Sequence, residues 1–597
     1  MSEPTYPPVT RLSSIPRWLQ EVDVIVVGAG ASGFTAGIMA AESGSQVTVL
    51  EKAAAIGGTS AKSGAGMWVP GNAHMRHAGI TDPLDRCLEY LARTSRPHRF
   101  VPSSPTLGLD QWEYDLLQTF TENAATAFDS LEELGALDTM WMPAFPDYYP
   151  QIVEGHLTTG RVVVPLQPDG AAGQGPELIR RLSEAFTARG GEVMLEHRVV
   201  SAVVDSEGAV VGVLAATPQG DVAIRASRGV VFASGGFTHN QELRDNFLPH
   251  PVFSGCAVTT NEGDFVAIAE SLGAPLRNMN SAWNSMVLLE HAVTGYPIMV
   301  ATFELVGRSI LAVNRYGRRV ANEKQVYSES CAVLAEWDGT RVEYPNLPLI
   351  VIWDEANADE FGGLMLDGGM MPAAGATEEE RAHVISGDTL TELAAGIRER
   401  FARFADHIGG VRPSDDFEAQ LAATIERFNE FGRRGRDDDF HRGETPIEQY
   451  LQSLQEAAAA MGEGAGFMEA NSSLQSKQSW TVDGQEAPQG LIQERVEGTG
   501  LASSTFAPLS SEGPYHAALV VPGTLDTKGG PKTNRHGQVL DHLGEPIPGL
   551  YAVGNCAASP SAHAYWGAGG TLGPMITFAW LAGRHIAGSA SSARDAA

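Results

Sequence analysis

The chain reads as a succession of apolar runs with different periods, separated by glycine-rich turns. Residues 22–27, Val-Asp-Val-Ile-Val-Val, form the near-continuous apolar run of a parallel strand buried on both faces. This run empties into Gly28-Ala29-Gly30-Ala31-Ser32-Gly33; an Ala-rich amphipathic stretch follows, and Gly44 is placed to end its helix. A second strand over 46–50 ends at Glu51. Strand, glycine-rich turn, helix, strand and acid make one βαβ unit of dinucleotide-binding length.

Farther along, helical periodicity covers 114–135 and 176–189, and short strands are expected over 199–204, 210–215 and 222–226. Another apolar strand, 229–233, runs into Ser234-Gly235-Gly236. Between 275 and 445 a strand at 348–352 mixes with long helices over 390–407 and 416–433, the pattern of an inserted α+β unit. Residues 446–512 turn rich in Ala, Gly, Ser and Gln, which predicts a mobile surface insertion, with a lid or an oligomer contact as the sharper alternative. Strand then returns at 550–555, and a long helix starts near Gly573. The expected fold is α/β, a Rossmann-like cofactor domain built from 1–275 and 513–597, with an α+β catalytic domain, 276–512, inserted between them.

With 597 residues, 43% of them hydrophobic and 19% charged, the chain is long and apolar enough for a large buried core. Acidic residues outnumber basic ones 72 to 41, a formal charge of −31 that repels phosphate backbones and anionic lipid, so nucleic acid is excluded as an expected partner. Cys87, Cys256, Cys331 and Cys556 show no CxxC and no paired spacing, which argues against a disulfide framework, a zinc ribbon or an iron–sulfur cluster; no metal is expected. The Pro-rich first twenty residues lack the apolar core of a signal peptide, and no run reaches the ~18 apolar residues of a membrane helix. A cytoplasmic protein without a transmembrane segment is expected.

The glycine turn carries the first chemistry. Gly28 permits a tight turn, Gly30 lets a pyrophosphate approach the backbone, and Gly33 lets helix pack on strand, while the helix N-terminus offers N–H groups and a positive dipole. Glu51 is placed to accept hydrogen bonds from ribose hydroxyls. A second glycine-rich loop, Gly57-Gly58-Thr59-Ser60 followed by Ser63-Gly64-Ala65-Gly66, comes soon after that acid. A ligand running on past its pyrophosphate towards an isoalloxazine needs such a loop, and NAD does not. Gly569-Gly570-Thr571-Leu572-Gly573-Pro574 opens the last helix, with proline in the first turn where its missing N–H costs nothing. That helix N-terminus suits the negative charge a reduced flavin carries. The expected cofactor is FAD.

At these residues the chain resembles the fumarate reductase/succinate dehydrogenase-type flavoproteins, and within them it is similar to the 3-ketosteroid Δ1-dehydrogenases. The matching pieces are DVIVVGAGASG, VLEK, GGTSAKSGAGMWVPG, FPDYYP, GVVFASGGF, the segment from Asn322-Glu323 to Tyr327, FHRGE, TKGG, GLYAVGN and AYWGAGGTLGPMITFAWLAGRHIA. They span most of the chain outside 446–512. By this resemblance Ala31, Ser32, Lys52, Val200, Ala233, Ser234, Gly235, Gly554, Asn555, Gly570 and Leu572 join the glycine loops in holding FAD. The loop Gly58-Thr59-Ser60-Ala61-Lys62-Ser63-Gly64 has no histidine for a covalent flavin link, so FAD is expected to be non-covalent. No motif matches the arginine and histidine clamp that succinate oxidation needs.

The resemblance implies a trans-elimination of two hydrogens beside a ring ketone. A base takes the α-proton, a hydride leaves the β carbon for flavin N5, and donors stabilise the developing enolate oxygen. Tyr565 and the Gly569 N–H match the pair that holds the ketone oxygen. Tyr327 matches the proton-abstracting tyrosine and Tyr148 the one that assists it, because a phenol with a pKa of about 10 needs help to act as a base near neutrality. Tyr149 and Cys556 read as packing, and His563 as a structural histidine. The implied substrate is a small cyclic ketone, a 3-ketosteroid in this family, with a quinone or other electron acceptor. Trp566 and Ala568 stand where the family often has proline. That departure and the 446–512 segment keep alive a desaturase or enone reductase acting on a non-steroid cyclic ketone. A flavoprotein electron-transfer subunit without catalysis is the other rival.

Overall fold

In the computed structural model the strand Gln20–Val27 lies at the centre of a nine-stranded sheet, paired in parallel with Val47–Leu50 on one side and Val222–Phe232 on the other. The structure describes residues 6–588 apart from 150–151, 153, 155–156, 158, 297, 365–366 and 463–504. Val24, Ile25 and Val26 are fully buried, because helix Ala31–Glu42 covers one face of the sheet and the antiparallel layer Arg198–Val204, Val210–Ala216 and Val222–Phe232 continues it outward. Helix Leu572–Gly588 packs on helix Ala31–Glu42 so closely that a Cβ on Gly583 would stand 2.4 Å from the Ala36 carbonyl oxygen. The expected α/β sheet with its parallel strand–helix–strand unit is therefore present.

Strands expected separately over 222–226 and 229–233 are one strand, Val222–Phe232, with a bulge between Ala226 and Gly229. Its first half pairs with Val210–Ala216 and its second half with Pro546–Ala552. The bulge re-aims the strand at this change of neighbour. Gly229, with φ of +146°, serves the crossing, since a Cβ there would lie 2.6 Å from the Gly549 carbonyl oxygen.

A second, six-stranded sheet is built around the long strand Tyr515–Thr527, which pairs with Ser254–Gly255, Ala282–Leu288, Leu349–Asp354 and Ile385–Gly387, while Ile310–Val313 extends it beyond Leu349–Asp354. Two of these strands lie outside 276–512: Ser254–Gly255 precedes it, and Tyr515–Thr527, expected with the C-terminal part of the cofactor domain, is the central strand of this sheet. Met67–Trp68, Val162–Pro165 and Thr139–Trp141 form a small antiparallel sheet of their own.

The expectation of a mobile surface insertion from 446 fails for its described ends. Helix Pro446–Met461 buries Ile447, Tyr450, Leu451, Leu454 and Ala458 in the main core, and Phe506 and Leu509 are buried beyond it. Those positions follow the i, i+3, i+4, i+7 stripe of an amphipathic helix, which the Ala- and Gln-rich composition conceals. The remainder, 463–504, lies outside the described residues.

Candidate active site

Gly28 is held in the left-handed region, φ +108°, where a Cβ would stand 2.4 Å from the Ala233 carbonyl oxygen, and its N–H donates to Leu50 at 2.8 Å. A Cβ on Gly33 would meet the Gly28 carbonyl oxygen at 1.9 Å, so the first turn of helix Ala31–Glu42 sits directly on the glycine turn. The helix N-cap is Gly30, and Gly30, Ala31 and Ser32 at this helix N-terminus line a cleft.

Most residues expected at the cofactor line this one cleft: Gly28, Gly30, Ala31 and Ser32 from the first turn, Glu51 and Lys52 from the second strand, and Gly58, Thr59 and Ser60 from the second loop. Ala233, Ser234 and Gly235 line it after strand Val222–Phe232, and Gly554 and Asn555 after strand Pro546–Ala552. The two loops are joined by Gly57 N–H donating to Ala29 at 2.9 Å and Ala31 N–H donating to Ser60 Oγ at 3.3 Å. Glu51 is buried, and its carboxylate accepts from the Ala29 and Ala53 N–H groups, each at 2.9 Å, which fixes it at the end of its strand. Lys52 is tied by ion pairs to Glu262 at 3.0 Å and Asp264 at 2.6 Å.

Other expected residues stand outside the lining. Gly33 supports the turn from within. Ser63 caps the second loop, its Oγ donating to Ser60 at 2.7 Å and accepting from Ala65 N–H at 3.1 Å. Gly64 and Ala65 continue that loop, Ala65 with φ of +53°. Val200 does not line the cleft; His197 and Val199 do, because adjacent strand residues face opposite sides. Gly66 abuts Gly569, Gly570 donates its N–H to Gly567 at 2.9 Å, and Leu572 opens the last helix.

Asp526 and Asn261 also line the cleft, and sequence reasoning missed both. Asp526 is buried and accepts from Gly236 N–H at 3.1 Å, Asn261 Nδ2 at 2.8 Å and Asn555 Nδ2 at 2.8 Å. Burial pushes its carboxyl above the usual range. Asn555 in turn accepts from Trp283 Nε1 at 2.9 Å, linking the cleft to the second sheet. The open helix terminus, the glycine approaches and the polar groups at the far end fit an extended dinucleotide such as FAD.

The tyrosines, far apart in sequence, come together where the second glycine loop meets the last helix. Tyr148 Oη and Tyr327 Oη are 3.0 Å apart. The Tyr565 ring centroid lies 5.4 Å from that of Tyr148 and 5.5 Å from that of Tyr327, both edge-on. Tyr327 opens helix Tyr327–Leu334, and Phe303 packs edge-on against it at 5.0 Å. Tyr148 is fixed through its backbone: its N–H donates to the Trp566 carbonyl at 3.2 Å, and Asp147 before it accepts from Trp68 Nε1 at 2.7 Å and from Arg161. Gly569 takes a positive φ of 81° against Gly66 and Met67, and among the described residues its N–H donates to no group. Thr571 Oγ1 donates to Tyr565 Oη at 3.3 Å.

Burial holds the Tyr148 and Tyr327 phenols well above the ordinary tyrosine value; Tyr565 is raised as well, with Thr571 and Tyr327 opposing the shift. Tyr149 points elsewhere, donating to Glu329 at 2.7 Å. Trp566 turns away from the phenols into the core, fully buried against Trp68 and Phe120, with Nε1 on Ser95 Oγ at 3.2 Å. His563 is exposed, and Cys556 is a buried free thiol pushed up to about 11 by burial. Among the described residues no group of side chains is arranged to hold a metal, and no helix is long and apolar enough to cross a membrane.

The model of the FAD binding domain family matches residues 23–572. A 4-oxocyclohexanecarboxylate 2-dehydrogenase of Sinomonas cyclohexanicum is 32% identical over 96% of this chain and 94% of its own length. A 3-oxosteroid 1-dehydrogenase of Mycolicibacterium smegmatis is 29% identical over 96% of this chain and 99% of its own. Among solved structures, a 3-ketosteroid Δ1-dehydrogenase of Sterolibacterium denitrificans superposes with a TM-score of 0.74 at 24% identity, covering 95% of this chain and 99% of the other. An open flavocytochrome c3 fumarate reductase does so with 0.61 at 22%, over 96% and 78%. At such identities these two structures establish a shared fold.

Proposed function

The chain belongs to the FAD-binding flavoprotein family that includes the 3-oxosteroid 1-dehydrogenases, and on that basis we propose that it is an FAD-dependent dehydrogenase placing a double bond beside the carbonyl of a cyclic ketone. One observation carries the reading: the buried cluster of Tyr148, Tyr327 and Tyr565 around the 3.0 Å phenol pair, with the Tyr565 ring against Gly570. Bound FAD supplies the hydride acceptor. The glycine loops would hold it without a covalent link, since the loop from Gly58 to Gly64 carries no histidine.

In this reading the Tyr565 hydroxyl and the Gly569 N–H donate to the ketone oxygen and stabilise negative charge as it develops there. Tyr327 takes the α-proton, and Tyr148 shares that proton through the phenol–phenol hydrogen bond. The buried rings exclude water from the enolate. The electrons then pass to a quinone or a similar acceptor.

A 3-ketosteroid is the first substrate class, on the motifs FPDYYP and Tyr565-Trp566-Gly567-Ala568-Gly569. Trp566 places no indole among the tyrosines, which removes one reason against a steroid. A second reading, a small cyclic ketone bearing a carboxylate, is favoured by the full-length relative at 32% identity that acts on 4-oxocyclohexanecarboxylate. Anaerobic titration of the yellow protein with 4-androstene-3,17-dione and, separately, with 4-oxocyclohexanecarboxylate tests both. Bleaching of the flavin with loss of two hydrogens from one of them assigns the class. A flavin that dithionite bleaches and neither ketone does would overturn the reading.

A further inference from the structure

The segment that carries Tyr565 has no regular structure to hold it. Residues 559–566 form turns and irregular backbone between strand Pro546–Ala552 and helix Leu572–Gly588. Ala562 takes a positive φ of 43°, uncommon for a residue with a Cβ. Ala562 and Ala564 are buried, and among the described residues each of their carbonyls accepts from a single donor, which is the same group for both. A buried carbonyl without a partner costs free energy, so that donor decides where this backbone can lie.

The donor is Lys528. The end of strand Tyr515–Thr527 delivers Asp526 to the cofactor cleft, and two residues later Lys528 reaches the Tyr565 segment. Its Nζ donates to the Ala564 carbonyl at 2.6 Å and to the Ala562 carbonyl at 3.2 Å. Its own backbone is tied on both sides, the N–H donating to Ser281 at 2.9 Å and the carbonyl accepting from Ser559 N–H at 2.9 Å. Lys528 is 1% exposed, and among the described residues its side chain bonds to these two carbonyls and to no carboxylate. Lysine is almost never buried so fully without an ionic partner. Burial pushes its ammonium well below the ordinary lysine value, with Glu329 opposing. Ammonium and amine alike carry the two N–H groups that the carbonyls need.

A second route runs through the ring. Lys528 Nζ stands over the Trp283 indole, 3.9 Å from its centroid, and Trp283 packs edge-on against Tyr565 at 4.8 Å. Trp283 is held at its own edge, where Nε1 donates to Asn555 at 2.9 Å. One side chain therefore anchors the backbone immediately before Tyr565 and also the indole that packs on its ring.

We propose that Lys528 is a positioning residue that sets the Tyr565 hydroxyl for the ketone oxygen, an inference that rests on the desaturase reading above. Without it the Ala562 and Ala564 carbonyls turn towards other donors, and the phenol shifts with the backbone. A displacement of about 1 Å costs up to roughly 100-fold in rate when the displaced group serves the transition state. The loss falls on the chemical step more than on ketone binding, because the donor matters most as negative charge develops on the oxygen.

A double-mutant cycle separates positioning from general support of the fold. Lys528→Met, Tyr565→Phe and the double variant, each as the FAD-loaded full chain, are mixed anaerobically with the ketone that bleaches the wild type, over a range of ketone concentrations. Lys528→Met should keep its FAD and lower the limiting bleaching rate roughly 10- to 100-fold, with the half-saturating ketone concentration within about threefold of wild type. In the Tyr565→Phe background the same substitution should cost less than about twofold, since the hydroxyl it positions is gone. Equal slowing in both backgrounds, or bleaching by Lys528→Met within about threefold of wild type, would overturn the proposal. Lys528→Gln, whose amide stops one bond short of both carbonyls, carries the same cycle with the same outcomes if Lys528→Met does not retain flavin. Wild-type bleaching by Tyr565→Phe alone would instead remove the ketone-donor reading, whatever Lys528 does.

Discussion

Replacing Tyr565 by phenylalanine separates what its hydroxyl does from what its ring does. The ring is held edge-on by Trp283 at 4.8 Å, Tyr148 at 5.4 Å and Tyr327 at 5.5 Å, and phenylalanine keeps all three contacts. The lost hydroxyl forms a 3.3 Å bond with Thr571 Oγ1, at the long end of the range, and interacts with the Tyr327 phenol. Together these are worth about 1–2 kcal/mol to folding, at about 1 kcal/mol for an ordinary hydrogen bond. As a donor to a developing enolate oxygen the same hydroxyl is worth far more, about 2.7–4 kcal/mol, or roughly 100- to 1,000-fold in rate, by analogy with a lost oxyanion-hole donor. Stopped-flow measurement of anaerobic flavin bleaching, with thermal unfolding of the same preparation, reads both quantities. Tyr565→Phe should retain FAD, unfold within a few degrees of wild type, and bleach at least about 100-fold more slowly. Bleaching within about threefold of wild type would refute the role of Tyr565 as a ketone-oxygen donor.

Gly33→Ala should yield a colourless protein, because its Cβ would stand 1.9 Å from the Gly28 carbonyl oxygen and push the helix off the glycine turn; stoichiometric FAD in the purified variant, read by absorbance, would contradict this. Leu454→Ala should lose about 2–5 kcal/mol in denaturant unfolding, the cost of emptying a fully packed leucine site, since Leu454 is 1% exposed on helix Pro446–Met461; an unchanged midpoint would return that helix to the surface.

The cofactor half of the fold was legible because its signals are local. An apolar run, three spaced glycines and an acid lie within 22–51, and each has a backbone consequence that needs no distant partner. Strand Val222–Phe232 looks like two strands in the sequence because Ser227 and Arg228 interrupt its apolar pattern, where the chain exchanges one neighbour for another. Helix Pro446–Met461 was hidden by composition: alanines and glutamines read as low complexity, although Tyr450, Leu451, Leu454 and Ala458 keep helical spacing. Asp526 carried a signal that was passed over, an acid closing the apolar run 517–525, where an unpaired carboxylate is costly to bury. Val200 shows the cost of a one-residue slip on a strand, since its neighbour Val199 faces the cleft. The tyrosine cluster was the least legible part. Tyr148 and Tyr327 meet across 179 residues, a closure that only tertiary packing makes, and nothing but the family resemblance suggested their pairing.

The central claim is that a hydride leaves the ring carbon β to the ketone for the bound FAD. It is tested most directly by giving the anaerobic holoenzyme a cyclic ketone carrying two deuterium atoms at the β carbon and examining flavin and product together. The account predicts an enone with one β-deuterium lost for each flavin bleached. Bleaching with both β-deuterium atoms retained, or enone formed while the flavin stays yellow, would contradict it.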